Sequence, residues 1–447
     1  MSNGDMKALN VGLIGFGTVG RGTWDVLRRN GSEIARRAGR PIKINWIATR
    51  TLDRAREGTR GVAGVNLTND PSIVVRHPDV DIVCELAGGI ESARALVLDA
   101  IAHGKHVVTA NKALLAHHGT EIFAAAHAKG VMVAFEGAVA GGVPIIKALR
   151  EGLSANRIEW IAGIINGTSN FILSEMRARG ATFADVLAEA QQRGYAEADP
   201  SFDVDGIDAA HKLTIMSAIA FGIPMQFDKA DAEGITALTR EDIRYAEELG
   251  YRIKLLGITR RAKVNGGEGI ELRVHPTLIP VRRLIANVEG AMNAVLVKGD
   301  AVGATLYYGA GAGAEPTASA VIADLVDVTR MHTADPEHRV PHLAFQPDQL
   351  TDVPVLAMGD VTTSYYLRMR VDDKPGVLAD ITRILADREI SIDAMIQKEP
   401  SEGEDQTDII LLTHRAVERQ VVDAIAKIEA LATVRGAVVR IRLEDLA

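Results

Sequence analysis

The stretch Asn10-Val-Gly-Leu-Ile-Gly-Phe-Gly-Thr-Val-Gly20 joins a short apolar run to glycines in a regular spacing. The apolar run predicts a buried β-strand, and the spacing of Trp24, Val26 and Leu27 predicts that a helix follows. A GxGxxG loop between a strand and a helix lets the main chain approach a pyrophosphate, which the N–H groups of the helix N-terminus then bind. We therefore expect a dinucleotide to contact the loop residues Gly15, Phe16, Gly17, Thr18, Val19 and Gly20.

The end of the second predicted strand bears on the choice of dinucleotide. This strand spans residues 42–48, and Thr49-Arg50 follows where an NAD-specific site would offer a carboxylate to the ribose hydroxyls. An arginine there suits the 2′-phosphate of NADP, although a solvated loop arginine would look the same in the sequence. We expect NADP, or use of both NADP and NAD, in preference to NAD alone.

The strand-then-polar-loop pattern occurs twice more, at residues 81–89 and 106–112. This order predicts an α/β fold with a doubly wound parallel sheet, in which ligands bind at the carboxyl ends of the strands. Thr109, Asn111 and Lys112 fall at such an end, where the nicotinamide and the substrate would meet. Lys112 is either a catalytic or binding residue or a helix residue without a role. Its charge opposes the helix dipole, which favours the first interpretation.

Length and composition exclude several classes of protein. A chain of 447 residues with 47% apolar and 24% charged residues predicts several globular domains rather than a disordered or fibrous protein. A net charge of −8 without a basic run argues against nucleic-acid binding. Cys84, the single cysteine, lies in an apolar run and predicts a buried thiol. Since no signal-type segment and no run of about 18 apolar residues is present, we expect no membrane association and a cytoplasmic location.

Residues 194–212 contain five carboxylates and one lysine in an otherwise alanine-rich, apolar part of the chain. Asp208 and Lys212 are four residues apart and share one face of a predicted helix, which continues as Ile215 and Ile219. The apolar continuation predicts that the pair faces the interior, and a solvated i,i+4 pair is the alternative. A partly buried lysine beside carboxylates is suited to proton transfer.

Two further loops contain groups that are able to bind a ligand. Glu136 follows a strand predicted at 131–135 and leads into residues 137–144, whose main-chain carbonyls are able to line an ion site, a weak indication by itself. The turn at residues 166–170 either contacts the substrate or caps the helix that follows. The residues alone favour neither interpretation of this turn.

The last part of the chain predicts a separate α+β unit. Residues 331–362 lose their periodicity and carry four prolines, which indicates a linker. Strand and helix patterns then follow in the order of a βαββαβ sandwich over residues 363–447, with the turn Asp373-Lys-Pro-Gly-Val-Leu after the first strand. The exposed sheet edges of such a unit favour pairing between two chains.

Several motifs in their order along the chain resemble the homoserine dehydrogenase family. They are the GxGxxG loop, Asn111-Lys-Ala-Leu-Leu, Gly163-Ile-Ile-Asn-Gly-Thr-Ser-Asn, Gly194-Tyr-Ala-Glu-Ala-Asp-Pro and Asp203-Val-Asp-Gly-Ile-Asp-Ala-Ala-His-Lys. The glycine-rich residues 309–313 resemble a late segment of that family in which the chain returns to the cofactor. The resemblance implies oxidation of L-homoserine to L-aspartate 4-semialdehyde with NAD(P), and the reverse reduction in threonine, methionine and isoleucine biosynthesis.

The resemblance also implies a domain plan. An NAD(P)-binding domain of the Rossmann type would occupy residues 1–135 and be completed by about 309–330. A catalytic, substrate-binding and dimerisation domain of the α+β class would occupy residues 136–308, followed by the linker and the C-terminal unit.

Residue roles follow from the same resemblance. Lys212 would be the proton donor and acceptor at the reacting oxygen, and Lys112 would assist or share this role. Substrate contacts are implied at Glu197, Asp208, Thr168, Tyr195 and Asp203, and further cofactor contacts at Gly194 and Gly313. A sodium or similar monovalent ion is implied at Glu136 and at the carbonyls of Val139, Gly141 and Val143. Glu315 is left with two interpretations, a ribose contact or the cap of a helix that begins at Pro316.

The turn at Asp373 resembles that of an ACT domain. Such domains bind amino-acid effectors at paired interfaces, so the resemblance implies feedback inhibition with threonine as the effector. A module that only dimerises is the alternative. We expect a homodimer or a homotetramer.

Two other functions compete with this interpretation. One is a different nicotinamide-dependent oxidoreductase that acts on another amino-acid derivative, and the other is a noncatalytic sensor of nucleotide and amino acid. The set Glu197, Asp208 and Lys212 argues against both, because a different substrate would not need this set and a sensor would have lost it.

Overall fold

A computed structural model describes residues 7–264, 267–400 and 403–447. The strands are β1 (Leu9–Ile14), β2 (Ile42–Ala48), β3 (Asn66–Thr68), β4 (Ile82–Glu85), β5 (His106–Thr109), β6 (Val133–Ala134), β7 (Ile158–Ile164), β8 (Asp231–Ala232), β9 (Tyr251–Val264), β10 (Gly267–Pro280), β11 (Met292–Gly299), β12 (Gly303–Ala310), β13 (Thr362–Asp372), β14 (Ile392–Gln397), β15 (Gln406–Thr413), β16 (Ala416–Val417) and β17 (Val434–Leu443). The helices are α1 (Thr18–Arg29), α2 (Gly31–Ala38), α3 (Leu52–Gly58), α4 (Pro71–Arg76), α5 (Glu91–Ala102), α6 (Lys112–Lys129), α7 (Ile145–Lys147), α8 (Gly167–Arg179), α9 (Phe183–Gln192), α10 (Ser201–Val204), α11 (Ile207–Phe221), α12 (Arg240–Glu248), α13 (Ala314–Met331), α14 (Val377–Ala386) and α15 (Glu418–Glu429).

The chain divides into two compact units, each assembled from three segments. Unit 1 comprises Met1–Gly167, Asp208–Ala230 and Ala291–Val353, and unit 2 comprises Thr168–Ile207, Asp231–Gly290 and Pro354–Ala447. The domain boundaries expected from the sequence stay predictions.

Unit 1 contains a six-stranded parallel sheet in the order β3-β2-β1-β4-β5-β6. Val11 of β1 lies opposite Ile44 of β2, and Leu13 lies opposite Cys84 of β4. The central strands are apolar runs that are buried, as is usual where helices cover both faces of a parallel sheet. The strand order reverses between β1 and β4, so the switch point lies at the carboxyl ends of these strands. The predicted doubly wound sheet is confirmed.

Helix α13 completes the core of this sheet. Ala318 and Leu325 are fully buried and belong to the same hydrophobic cluster as Val11 of β1. The N-terminus of α13 lies against α1, since a Cβ atom at Gly22 would be only 2.6 Å from the Ala314 carbonyl oxygen. The segment after the glycine-rich residues therefore folds back onto the N-terminal sheet.

Strand β6 is shorter than the strand predicted at 131–135. The Met132 N–H group donates to His106 Nδ1 at 2.9 Å, and the Val133 N–H group donates to His342 Nε2 at 3.1 Å. These two bonds hold the start of β6, and the Met132 carbonyl accepts the Val107 N–H group of β5 at 2.8 Å.

Unit 1 also contains an antiparallel arrangement of β7, β11 and β12 with β11 in the middle. Ala294 of β11 lies opposite Ile164 of β7, and Asn293 lies opposite Gly309 of β12. Helix α11 belongs to the same unit and is buried throughout residues 208–221. Its polar residues are therefore interior groups.

Unit 2 contains a sheet in which β9, β10, β17, β13, β15 and β14 are successive neighbours. Strands β9 and β10 form a long antiparallel pair, and β17 runs parallel to β10 and antiparallel to β13. Strands β13, β14, β15 and β17 with α14 and α15 form the predicted βαββαβ unit around a core that includes Tyr365, Leu367, Ile381 and Val421. This part of the predicted fold is confirmed.

Two predictions from the sequence concern the single cysteine and membrane-spanning helices. Cys84 is buried, as predicted, and burial raises the pKa of its thiol far above the usual range. Such a thiol is a core group and not a nucleophile. Within the described ranges, no helix is long and apolar enough to cross a membrane.

Candidate functional site

The GxGxxG loop connects β1 to α1 in unit 1. Gly15 has a φ of +96°, and a Cβ atom there would lie 2.7 Å from the Ala87 nitrogen. A Cβ atom at Gly20 would lie 2.1 Å from the Gly15 carbonyl oxygen, so a glycine lets α1 pack against the turn. Among the described residues, nothing lies within 4 Å of the Cβ position of Gly17, and no side chain caps α1. The loop therefore offers the N–H groups of α1 to an anion and fits a pyrophosphate.

A fully buried carboxylate supports the loop that Gly15 contacts. Glu85, the last residue of β4, accepts hydrogen bonds from the N–H groups of Ala87 at 2.9 Å and Gly88 at 3.1 Å. Its other oxygen accepts a hydrogen bond from Thr109 Oγ1 at 2.9 Å. Glu85 thus connects the carboxyl ends of β4 and β5. It is not among the residues predicted from the sequence, although a glutamate that ends an apolar strand was an available signal.

The predicted cofactor residues Thr109 and Asn111 lie at the carboxyl end of β5. Thr109 is fully buried, and its hydroxyl oxygen accepts the Asn111 N–H group at 3.1 Å. Asn111 Oδ1 caps α6 by accepting the Leu114 N–H group at 3.0 Å, and Asn111 Nδ2 donates to the Gly89 carbonyl at 2.7 Å. These bonds fix the start of α6, where Lys112 stands.

Lys112, Asp208 and Lys212 meet in unit 1. Lys212 Nζ lies 2.6 Å from Asp208 Oδ2, and Lys112 Nζ lies 3.2 Å from Asp208 Oδ1. Lys212 Nζ also donates to the Ile165 carbonyl at 2.8 Å, and Asn166 Nδ2 donates to Asp208 Oδ2 at 2.8 Å. The side chains of Asp208 and Lys212 are 5% and 11% exposed, and that of Lys112 is 34% exposed. The alternative of a solvated i,i+4 pair is therefore wrong.

Asp208 is ionised despite its burial. Burial by itself would raise the pKa of Asp208, but the charges of Lys212 and Lys112 and the hydrogen bonds from Lys212 and Asn166 hold that pKa well below its usual range. The carboxylate in turn holds the Nζ atoms of both lysines within 3.2 Å of its oxygens. The cluster therefore presents cationic N–H donors at a largely buried position, which suits the stabilisation and protonation of an oxygen that gains negative charge.

Five other predicted residues belong to unit 2: Thr168, Gly194, Tyr195, Glu197 and Asp203. Thr168 Oγ1 donates to the Tyr195 carbonyl at 2.7 Å, and Ser169 Oγ donates to the Asp203 carbonyl at 3.0 Å. Two hydroxyl groups in the first turn of α8 therefore hold the acidic segment in place. The Tyr195 and Glu197 side chains are exposed.

Two charged residues that the sequence singled out near the cofactor are exposed. Arg50 follows β2 in unit 1, as predicted from the strand pattern. Glu315 forms a bidentate ion pair with Arg29 at the end of α1, at 2.8 and 3.0 Å. Helix α13 begins at Ala314, two residues earlier than predicted, after Gly313 with a φ of +128°. In this structure Glu315 connects α13 to α1.

Glu136 is 2% exposed, and its carboxylate oxygens accept the N–H groups of Ile146 at 2.9 Å and Lys147 at 2.8 Å. Burial raises the pKa of Glu136, and these N–H groups and the Lys147 charge oppose the rise. Ala140 and Gly141 in the adjoining loop have φ values of +55° and +49°. A monovalent cation held by Glu136 and loop carbonyls would offset the buried charge, so the residues fit such an ion. Over the described part of the chain, no group of three or more His, Cys, Asp or Glu side chains is arranged to hold a metal.

Family models match three consecutive parts of the chain. The model described as "Homoserine dehydrogenase, NAD binding domain" matches residues 15–136, "Homoserine dehydrogenase" matches residues 144–326, and "ACT domain" matches residues 365–430. These matches follow the order that the sequence motifs predict.

Similar proteins match over almost the full length. The homoserine dehydrogenase of Pseudomonas aeruginosa is 62% identical over 442 residues, which cover 99% of this chain and 100% of that protein. The homoserine dehydrogenase of Neisseria gonorrhoeae is 58% identical, with coverages of 99% and 100%. A crystal structure of a homoserine dehydrogenase from Thiobacillus denitrificans is similar with a TM-score of 0.94, 71% identity and 99% coverage of both chains. The predicted family is therefore confirmed, and the chain belongs to the homoserine dehydrogenases, which are NAD(P)-dependent oxidoreductases, and carries a C-terminal ACT domain.

Proposed function

We propose that this chain interconverts L-homoserine and L-aspartate 4-semialdehyde by hydride transfer with NAD(P), and that reduction is the biosynthetic direction. The observation that carries the proposal is the contact of Lys112 and Lys212 with the two oxygens of Asp208. Membership of the family and the geometry of the GxGxxG loop support it.

We assign proton transfer to Lys212. When bound, the nicotinamide supplies the hydride to the aldehyde or accepts it from the alcohol. During reduction the substrate oxygen gains negative charge, which the Lys212 ammonium group stabilises and then protonates. Asp208 and the Ile165 carbonyl orient that ammonium group. Lys112 adds a second positive charge at Asp208 and assists.

We further assign substrate binding to residues that the family resemblance implies. Glu197, Asp203 and Asp208 carry the negative charge that an α-ammonium group requires. Tyr195 carries a hydroxyl group that is able to donate to a carboxylate, and Thr168 supports it by donating to the Tyr195 carbonyl. Gly194 and Gly313 are assigned to the cofactor together with the GxGxxG loop, Thr109 and Asn111.

The first experiment measures homoserine-dependent formation of NADPH and NADH through the absorbance of the reduced nicotinamide. We expect the wild type to turn over and Lys212→Ala to lose activity by at least about 100-fold. Lys427→Ala, at a lysine that is 60% exposed in α15, is the matched control and should be fully active. A wild type that is inactive with both cofactors would contradict the substrate assignment and favour a different substrate or a sensor.

We propose that Glu136 and the carbonyls of Val139, Gly141 and Val143 bind sodium or a similar monovalent ion with a structural role. The buried carboxylate and the left-handed loop residues support this site. The thermal midpoint of the wild type should be higher in sodium chloride than in choline chloride at equal ionic strength. Glu136→Gln should abolish this difference, and equal midpoints for the wild type would refute the site.

We propose that the ACT domain binds L-threonine and thereby lowers the rate of turnover. The βαββαβ unit and the turn at Asp373, where Gly376 has a φ of +95°, support this proposal. We expect threonine to raise the thermal midpoint and to inhibit, and Asp373→Ala to remain active without inhibition. A module that only dimerises would show neither a thermal shift nor inhibition of the wild type.

We propose a homodimer or homotetramer that works in the cytoplasm. Strand β12 of unit 1 and strand β14 of unit 2 each stand last in the strand order. Edge strands of this kind are able to pair with a strand of a second chain. Sedimentation velocity of the full chain would distinguish a dimer from a tetramer, and a monomer would refute both.

A further inference from the structure

We propose that the side-chain amide of Asn293 binds the carboxamide group of the nicotinamide ring. The inference rests on the proposed function, because it concerns the cofactor of that reaction. Asn293 lies in β11 of unit 1 and is 1% exposed. It is not among the residues that the sequence motifs or the family resemblance identified.

The first observation is that the amide is buried without partners. Among the described residues, neither Asn293 Oδ1 nor Asn293 Nδ2 has a hydrogen-bond partner. A buried polar atom without a partner destabilises the fold, so an apolar side chain would make the ligand-free protein more stable. Asn170 is equally buried, but its Nδ2 donates to the Val288 carbonyl at 3.2 Å and its Oδ1 accepts from Lys254 Nζ at 3.1 Å. The unpaired amide of Asn293 therefore indicates a partner that arrives with a ligand.

The second observation is the position of Asn293 relative to the proton donor. Ala294 lies opposite Ile164, the last residue of β7, so Asn293 is the next residue of β11 beyond this pair and Ile165 is the first residue after β7. The Ile165 carbonyl accepts a hydrogen bond from Lys212 Nζ at 2.8 Å. The nicotinamide carbon that exchanges the hydride has to lie beside the substrate carbon whose oxygen meets Lys212. The carboxamide is attached to the adjacent ring atom and has to lie in the same neighbourhood.

The third observation is that Gly311 of the glycine-rich segment lies directly against the amide. A Cβ atom at Gly311 would lie 2.0 Å from the Asn293 amide carbon. The same glycine is in contact with the loop at Gly141, because a Cβ atom at Gly141 would lie 2.4 Å from the Gly311 carbonyl oxygen. Any side chain at Gly311 would displace the amide, so the amide requires a glycine at this position.

The two unpaired atoms also select the class of ligand. A cation would engage Asn293 Oδ1 and leave Nδ2 without a partner, and a carboxylate would do the reverse. A carboxamide presents an acceptor and donors side by side, so it is able to pair with both atoms of an asparagine amide. The cofactor of the proposed reaction carries such a group.

The variant Asn293→Leu separates a binding role from a structural one. We expect its thermal midpoint without ligand to equal or exceed that of the wild type, while its Kd for NADP⁺, measured by calorimetric titration, rises about tenfold. Asn170→Leu is the matched control and should lower the ligand-free midpoint, because it removes one hydrogen bond from the Lys254 ammonium group and one from the Val288 carbonyl. A lower ligand-free midpoint for Asn293→Leu would show a structural residue and overturn the proposal.

An analogue of NADP⁺ with an acetyl group in place of the carboxamide identifies the group that is bound. The wild type should bind this analogue about tenfold more weakly than NADP⁺, and Asn293→Leu should bind the two equally. A variant that keeps the full preference of the wild type would overturn the proposal. A wild type that binds NADP⁺ but does not oxidise homoserine would refute the proposed function and leave this binding test intact.

Discussion

Asp208 and Lys212 lie one turn apart on α11, and their side chains meet at 2.6 Å in the interior of unit 1. Lys112 reaches the second oxygen of the same carboxylate from the start of α6. One buried acid therefore holds two ammonium groups that come from different helices. This arrangement makes Asp208 the residue on which the orientation of both lysines depends.

Replacing Asp208 with asparagine should lower the rate of aldehyde reduction by about 100-fold, because Lys212 loses the carboxylate that orients its ammonium group. Steady-state kinetics in the reductive direction measures the loss. Asp205→Asn is the matched control, since Asp205 is exposed, and it should behave as the wild type. Equal rates for the two variants would show that Lys212 works without Asp208.

Replacing Gly15 or Gly17 of the GxGxxG loop with alanine should affect different properties, stability in the first case and cofactor binding in the second. Gly15→Ala should lower the thermal midpoint, because Gly15 has a φ of +96° and its Cβ atom would lie 2.7 Å from Ala87. Gly17→Ala should keep the midpoint of the ligand-free protein, because within the described residues nothing lies within 4 Å of its Cβ position. It should instead raise the Kd for the dinucleotide by about tenfold or more, because the added methyl group stands where the main chain approaches the pyrophosphate. An unchanged Kd for Gly17→Ala would contradict this placement of the cofactor.

Glu85→Gln should weaken binding of the cofactor and lower stability by about 1–3 kcal/mol. In glutamine an NH2 group replaces one of the two carboxylate oxygens. The hydrogen bonds from the Ala87 and Gly88 N–H groups, or the one from the Thr109 hydroxyl, therefore lose their acceptor. Calorimetric titration and thermal denaturation measure the two effects. Glu91→Gln, at a side chain that is 78% exposed, is the control and should change neither quantity. A destabilised variant with normal cofactor binding would limit Glu85 to a role in the fold.

Arg50→Ala should reduce the preference for NADPH over NADH, expressed as the ratio of kcat/KM values, by about tenfold or more. The reason is the loss of the guanidinium group that we assign to the 2′-phosphate. Arg36→Ala, at an arginine that is 82% exposed on α2, is the control and should keep the ratio. A ratio that is unchanged in Arg50→Ala would mean that Arg50 is a solvated loop residue.

Stability in acid should depend on Glu444 in unit 2. Its oxygens are 2.5 Å from Arg273 and 2.8 Å from Arg260. Burial by itself would raise the pKa of Glu444, but the two arginines lower it to about 2. An unfolded glutamate has a pKa of about 4.3, so this stabilisation is present above about pH 4.3 and is lost as the pH falls towards about 2.

The size of this contribution is on the order of 2–3 kcal/mol. The thermal midpoint of the wild type should therefore fall more steeply over this acid range than that of Glu444→Gln, which starts lower at neutral pH. Glu268→Gln, at a half-exposed glutamate, should follow the wild type. Parallel curves for the wild type and Glu444→Gln would contradict the assignment.

Local patterns in the chain were enough to predict much of this protein. The run from Asn10 to Gly20 predicted a strand, a loop and a helix, because alternation, glycine spacing and helical periodicity act over a few residues. The i,i+4 spacing of Asp208 and Lys212 likewise predicted their contact, and the isoleucines on that face predicted its burial. The order of the motifs along the chain likewise predicts the family.

Contacts between distant parts of the chain were decided only by the tertiary fold. Lys112 reaches Asp208 because α6 and α11 approach each other, and Glu85 reaches Thr109 because β4 and β5 are neighbours in the sheet. The unpaired amide of Asn293 becomes visible only once β11 and the glycine-rich segment enclose it. Periodicity and propensity describe a residue and its near neighbours, whereas burial and hydrogen bonding between such segments depend on how the whole core packs.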